Sequence, residues 1–84
     1  MMQPTAWDFQ NRLIAILNAA RHNGKAYIDV ESGHLHTQVG DHTDLTYGMP
    51  VCCEVMRKMM RAGDLIVNDP LAGEDARLLI RYMV

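Results

Sequence analysis

The first hydrophobic repeat along the chain predicts one long amphipathic helix. From residue 7 onward, apolar side chains recur at steps of three and four, which is the spacing of one helical face. The repeating positions are Phe9, Leu13, Ile16, Leu17 and Ala20. Asn23-Gly24 then supplies a C-terminal stop. The pattern predicts a helix over roughly residues 6–22, preceded by a loose N-terminal segment, residues 1–5.

The next two segments are short. The stretch KAYIDV, residues 25–30, alternates aromatic or β-branched side chains with others, which predicts a brief strand. Ser32 then has the side chain of a helix N-cap, so a short helix is expected over residues 33–39, ended by Gly40. Its inward-facing positions are Leu35 and Val39.

A polar stretch, residues 41–48, leads into a second amphipathic helix over residues 50–62. Pro50 suits the first turn of a helix, where its missing N–H costs nothing, and Gly63 suits a left-handed stop. Cys53 falls on the side expected to face outward. The face expected to pack on the first helix holds Val51, Val55, Met59 and Ala62, with Cys52 and Met56 beside it.

The last segment predicts a β-hairpin. Two strand-like runs, residues 64–68 and 76–83, flank NDPLAGED, which is rich in turn-forming residues. In the second run, alternate positions are apolar and should face inward. These positions are Ala76, Leu78, Ile80 and Tyr82.

Composition limits the class of protein. The chain has 84 residues, 49% of them hydrophobic, which indicates one folded domain over residues 6–84. The apolar runs are too short to cross a membrane, and MMQPTAWDFQ lacks the features of a signal peptide, so a cytoplasmic location is expected. The net charge is −2, so any DNA affinity must come from a local basic patch.

The order helix, strand, short helix, longer helix, hairpin resembles the winged helix-turn-helix domain, an α+β fold of three helices and a small antiparallel sheet in the order α-β-α-α-β-β. The resemblance implies that residues 26–30 pair with the hairpin. It also implies that residues 50–62 are the recognition helix and residues 69–75 the wing tip. The nine-residue turn between the second and third helices is longer than the three or four residues typical of helix-turn-helix units.

The residues that this resemblance assigns to DNA are basic. They are Arg57, Lys58, Arg61, Arg77 and Arg81. The N-terminal half of the recognition helix, which usually reads the bases, offers only Pro50, Cys53 and Glu54. The hairpin region, residues 64–75, holds four carboxylates and no cation, which phosphate would repel. The alternative interpretation is that these cations only solvate exposed helix and strand faces.

Histidine and cysteine side chains raise two further hypotheses. A zinc site could be drawn from His34, His36, His42, Cys52 and Cys53. Their spacing is poor, because adjacent helical residues diverge by about 100°. We therefore expect a buried Cys52, surface histidines and no metal. A Cys53–His42 nucleophile pair is the enzymatic alternative, but no catalytic motif accompanies it, so no enzyme and no cofactor are expected.

The sequence thus favours a DNA-binding winged-helix protein, a transcriptional regulator or accessory factor, with double-stranded DNA as its partner. The alternative is a protein–protein interaction module on the same scaffold, an adaptor or phage-type inhibitor that binds no DNA. A homodimer is also expected, since Met60, Leu79 and Met83 suggest surplus apolar surface. The terminal RYMV could form it by pairing edge to edge.

Overall fold

A computed structural model of the chain describes residues 4–39, 48–70 and 76–84. The described helices are α1 (Ala6–His22), α2 (Ser32–Val39) and α3 (Met49–Lys58). The strands are β1 (Tyr27–Glu31), β2 (Leu65–Asn68) and β3 (Leu79–Met83). The predicted α+β layout and the order α-β-α-α-β-β are confirmed. The predicted Gly40 stop, most of the polar turn and most of the wing tip lie outside the described residues.

Helix α1 has the predicted bounds because both of its ends are capped. The Thr5 N–H donates to Asp8 Oδ2 at 2.8 Å, and the Asp8 N–H donates to the Thr5 hydroxyl at 3.4 Å, which makes a capping box. At the other end, Gly24 has a φ of +76°, and the Lys25 N–H donates to the Ala20 carbonyl at 3.0 Å. The predicted Asn23-Gly24 stop is confirmed.

The sheet joins β1 to the hairpin, as expected. Its order is β1-β3-β2, with both pairings antiparallel. Ile80 lies opposite Val30 on one side and opposite Ile66 on the other, so these side chains share the inner face. Edge-to-edge pairing through RYMV is wrong, because β3 is the central strand and its backbone groups already bond to neighbours on both sides.

Helix α2 begins one residue earlier than predicted, and Ser32 is its buried first residue rather than a cap outside it. The Ser32 N–H donates to the Leu78 carbonyl at 2.8 Å, and the Gly33 N–H donates to the Ala76 carbonyl at 2.8 Å. The backbone just before β3 therefore takes up N–H groups that a helix start leaves unsatisfied.

The buried face of α3 differs from the predicted one. Val51 is 38% exposed and Ala62 is exposed, whereas Cys53, expected to face outward, is 1% exposed. The buried residues of α3 are Met49, Cys52, Cys53, Val55 and Met56. Met49, Cys52, Cys53 and Met56 are spaced at steps of three and four residues and so form one stripe along the helix. The centre of this stripe lies between the two cysteines.

Helix α3 is also shorter than predicted. It ends at Lys58 rather than near Ala62, and Gly63, with a φ of +96°, shapes the turn before β2 instead of stopping the helix. Met60, predicted to lie off the core face, is half-buried against the core. One cluster of buried side chains joins the helices to the inner sheet face: Phe9, Leu13, Val30, Leu35, Met49, Cys52, Cys53, Val55, Met56, Leu78, Ile80 and Tyr82.

Candidate nucleic-acid interface

The start of α3 presents little that could read DNA bases. Gly48, with a φ of +82°, precedes the helix, and Pro50 lies in its first turn as predicted. The exposed side chains of the first two turns belong to Pro50, Val51 and Glu54. This half of the helix therefore shows one carboxylate and no cation to solvent.

Arg57 connects the last turn of α3 to the hairpin. Its Nη2 donates to Asp69 Oδ1 at 2.8 Å, one residue past the end of β2. The side chains are 33% and 54% exposed, so the pair is open to solvent and to salt. The hydrogen bond that Arg57 donates to Asp69 raises the pKa of the arginine. The contact brings the predicted recognition helix and the predicted wing side by side.

Lys58 pairs within α3 itself. Its Nζ lies 2.8 Å from Glu54 Oε1, one helical turn earlier. The hydrogen bond between them lowers the pKa of Glu54 and raises that of Lys58. Both side chains are largely exposed, so this is a solvent-screened pair rather than a buried one.

Arg61 lies in the tight turn between α3 and β2. Its N–H donates to Asp64 Oδ2 at 2.8 Å, and the other carboxylate oxygen, Oδ1, accepts from the Met83 N–H at 2.7 Å. Backbone donors thus occupy the Asp64 carboxylate. The Arg61 guanidinium makes no hydrogen bond or ion pair with any other residue in the described parts of the chain.

Arg81 lies in β3, and Arg77 lies just before that strand. The Arg81 guanidinium donates hydrogen bonds to both carboxylate oxygens of Asp29, at 2.8 and 3.1 Å, and it lies 4.2 Å from the centre of the Tyr27 ring. This hydrogen bonding lowers the pKa of Asp29. Arg77 lies outside β3, and its carbonyl accepts from the Asn68 side-chain amide at 2.8 Å.

The thiols and histidines are arranged for packing. Cys52 is fully buried with its Sγ 3.5 Å from the Ser32 carbonyl, and burial raises the pKa of its thiol to about 12. A surface location is wrong for His36, which is 1% exposed and stacks at 5.7 Å against Phe9. Cys53 is buried too, and its proposed partner His42 lies outside the described residues.

The described residues form no candidate metal site. Within residues 4–39, 48–70 and 76–84, no group of three or more His, Cys, Asp or Glu side chains could hold a metal ion. None of the helices in these ranges is long and apolar enough to cross a membrane.

The residues that sequence reasoning missed are the carboxylates paired with the predicted cations. Glu54 lies four residues before Lys58, a helical spacing that could have revealed this pair. Asp69 is 12 residues from Arg57, and Asp29 is 52 residues from Arg81. Only the folded chain brings those two pairs together.

Comparisons with protein-family models, curated proteins and solved structures give no match to this chain.

Proposed function

We propose that this chain is a cytoplasmic, non-enzymatic protein of the winged-helix type that binds double-stranded DNA, as a transcriptional regulator or accessory factor. The observation that carries this proposal is the 2.8 Å contact between Arg57 and Asp69. In this contact the end of α3 lies beside the end of β2, so a duplex that meets the helix also meets the hairpin. Third helix and hairpin are the elements with which winged-helix proteins contact DNA.

The ion pairs of this surface do not oppose such binding strongly. Both α3 pairs are solvent-exposed, and exposed ion pairs contribute little net stability. A phosphate oxygen can replace the carboxylate oxygen on an arginine, because the guanidinium hydrogen-bonds both anions in the same way. The ion pairs of Glu54 with Lys58 and of Asp69 with Arg57 must then break.

In this proposal the three cations at the end of α3 bind phosphate. Arg57 and Lys58 exchange a carboxylate for a phosphate, while Arg61 contacts one directly. Arg77 supports them from the segment before β3, whereas Arg81 is bound to Asp29 on the sheet face away from the helices and takes no part in this contact. Because the first half of α3 displays Glu54 and no cation, discrimination between base sequences is weak, and backbone contacts supply most of the affinity.

The test is duplex binding as a function of salt. For the wild type, we expect the logarithm of the association constant to fall linearly with the logarithm of the salt concentration. Combining Arg57→Ala with Arg61→Ala should flatten that slope by about 2, because two phosphate contacts are lost. Arg12→Ala, which removes an exposed cation of α1, is the matched control and should leave the slope unchanged. Absence of salt-sensitive binding at low ionic strength would reject the proposal.

A second variant tests the exchange of carboxylate for phosphate. Asp69→Asn removes the competitor of phosphate at Arg57, so we expect tighter duplex binding. Glu31→Gln removes the same charge from the exposed edge strand β1 and controls for net charge. Equal gains from the two substitutions would show that only the total charge matters, which contradicts a specific role for Arg57.

The second candidate is a protein–protein interaction module, an adaptor or phage-type inhibitor without DNA binding. Two observations favour it: three of the five predicted DNA-binding cations pair with carboxylates of the described residues, and the sheet face away from the helices exposes four large apolar side chains. It predicts no salt-sensitive duplex binding for the wild type and no effect of Asp69→Asn on duplex affinity.

A further inference from the structure

The side of the sheet that faces away from the helices forms a mixed apolar and charged surface, here called the outer sheet face. Across the paired strands, Tyr27 lies opposite Met83, Asp29 opposite Arg81, and Arg81 opposite Leu65. Directly opposed residues project to the same side of a sheet. By this pairing the outer sheet face consists of Tyr27, Asp29, Glu31, Leu65, Asn68, Leu79, Arg81 and Met83, with the exposed Val67 beside them at the register shift of β2.

This face exposes more apolar surface than a solvated sheet requires. Four of its side chains are 44–48% exposed, namely Tyr27, Leu65, Val67 and Met83. They are four of the seven large hydrophobic side chains that are strongly exposed among the described residues. The outer side of an antiparallel sheet is ordinarily polar, so clustered apolar side chains there indicate a contact surface.

The charges of the outer sheet face are arranged to match a copy of the same face. Arg81 on the central strand and Asp29 on the neighbouring strand carry opposite charges at its middle, joined at 2.8 Å. A two-fold axis passing between them would set each Arg81 against the partner's Asp29. The same axis would set apolar side chains of one copy against those of the other.

We propose that a second copy of this chain packs on the outer sheet face and forms a two-fold symmetric homodimer. The occupant follows from the central charges, since the Arg81 and Asp29 pair is complementary to the same pair turned by the two-fold axis, while Glu31 lies at the end of the edge strand β1. The dimer forms by packing face to face, because β3 has no free edge to pair. Helix α3 stays uncovered, since Tyr82 contacts it from the inner face, at 2.8 Å from the Met56 carbonyl.

The first test is the mass of the wild-type protein by sedimentation equilibrium over a range of concentrations. We expect a reversible monomer–dimer equilibrium that Leu65→Arg weakens at least about tenfold, because the new charge is buried at the interface. Val51→Arg, the same kind of change at an exposed site of α3, is the control and should associate like the wild type. A wild type that stays monomeric at every concentration overturns the proposal, as does a Leu65→Arg variant that dimerises normally.

A charge exchange tests the two-fold arrangement independently of Leu65. Asp29→Arg and Arg81→Asp should each be monomeric alone, since each places like charges across the interface. Mixed together, they should form a heterodimer in which the opposite charges face one another again. Thermal melts of the separate variants verify that both are folded. Folded variants that fail to associate when mixed overturn the proposed arrangement, whatever the outcome for DNA binding.

Discussion

At the scale of single residues, Gly33 shows how closely two backbone segments approach. A Cβ at this position would lie 2.9 Å from the Ala76 carbonyl oxygen and 3.0 Å from the Ala76 Cβ. The Gly33 N–H donates to the same carbonyl at 2.8 Å. Glycine is usually unfavourable inside a helix, so its presence in α2 is explained by lack of space rather than by backbone flexibility.

We expect Gly33→Ala to destabilise the fold by about 1–3 kcal/mol, because the added methyl group forces the Ala76 backbone to move. The measurement is the free energy of unfolding in urea. Gln38→Ala changes an exposed residue of the same helix and should have an effect close to zero. A Gly33→Ala variant as stable as the wild type would show that the two segments separate without cost.

At the scale of elements, the early end of α3 follows from where its last carbonyls find donors. The Met60 N–H donates to the Arg57 carbonyl at 3.3 Å instead of the Met56 carbonyl, which an α-helix would use. The Tyr82 hydroxyl, from the inner face of β3, donates to the Met56 carbonyl at 2.8 Å. The sheet thus satisfies a carbonyl that the end of the helix leaves open.

Tyr82→Phe should lower the free energy of unfolding by about 1–3 kcal/mol, because a buried carbonyl loses its donor while the ring stays in place. Urea unfolding measures the change. Tyr27→Phe removes a hydroxyl from a tyrosine that is 45% exposed, and it should have little effect. Equal losses from the two substitutions would contradict the role assigned to the contact between β3 and α3.

At the scale of the whole molecule, two acidic groups are built into the core in their neutral form. Burial raises the pKa of Cys52 from 9.0 to about 12, with a smaller contribution from the neighbouring Cys53. Burial also raises the pKa of the Tyr82 hydroxyl. Both side chains belong to the single cluster that joins the helices to the sheet. Ionising either group therefore opposes folding of the entire domain.

The free energy of unfolding should consequently decline at alkaline pH. A raised folded pKa contributes stability that is complete below the unfolded value of 9.0 and is lost as the pH rises toward the folded value of about 12. Urea titrations at increasing pH measure this decline. Cys52→Ala should reduce its steepness, even if the variant starts from a lower stability. A free energy that stays constant well above pH 9.0 would contradict this assignment.

The sequence by itself determined the elements whose signals are local. The bounds of α1 follow from an apolar stripe and the Asn23-Gly24 stop, whereas Thr5, which caps its start, falls in the segment expected to be loose. The inward face of β3 follows from strict alternation, and Leu78, Ile80 and Tyr82 are indeed buried. The order of helices and strands followed from the same periodicities, because each element must bury its own apolar side.

Only the tertiary structure decided the features that depend on distant partners. The Tyr82 hydroxyl satisfies a carbonyl near the end of α3, and the outward position expected for Cys53 is wrong because the buried stripe of α3 includes Met49 and is centred between the two cysteines. The assignment of the five cations to DNA stays a prediction, and the carboxylates that pair with Arg57 and Arg81, Asp69 and Asp29, come from other elements. A sequence pattern shows which side chains are apolar and which are charged, whereas the fold determines which of them contact one another.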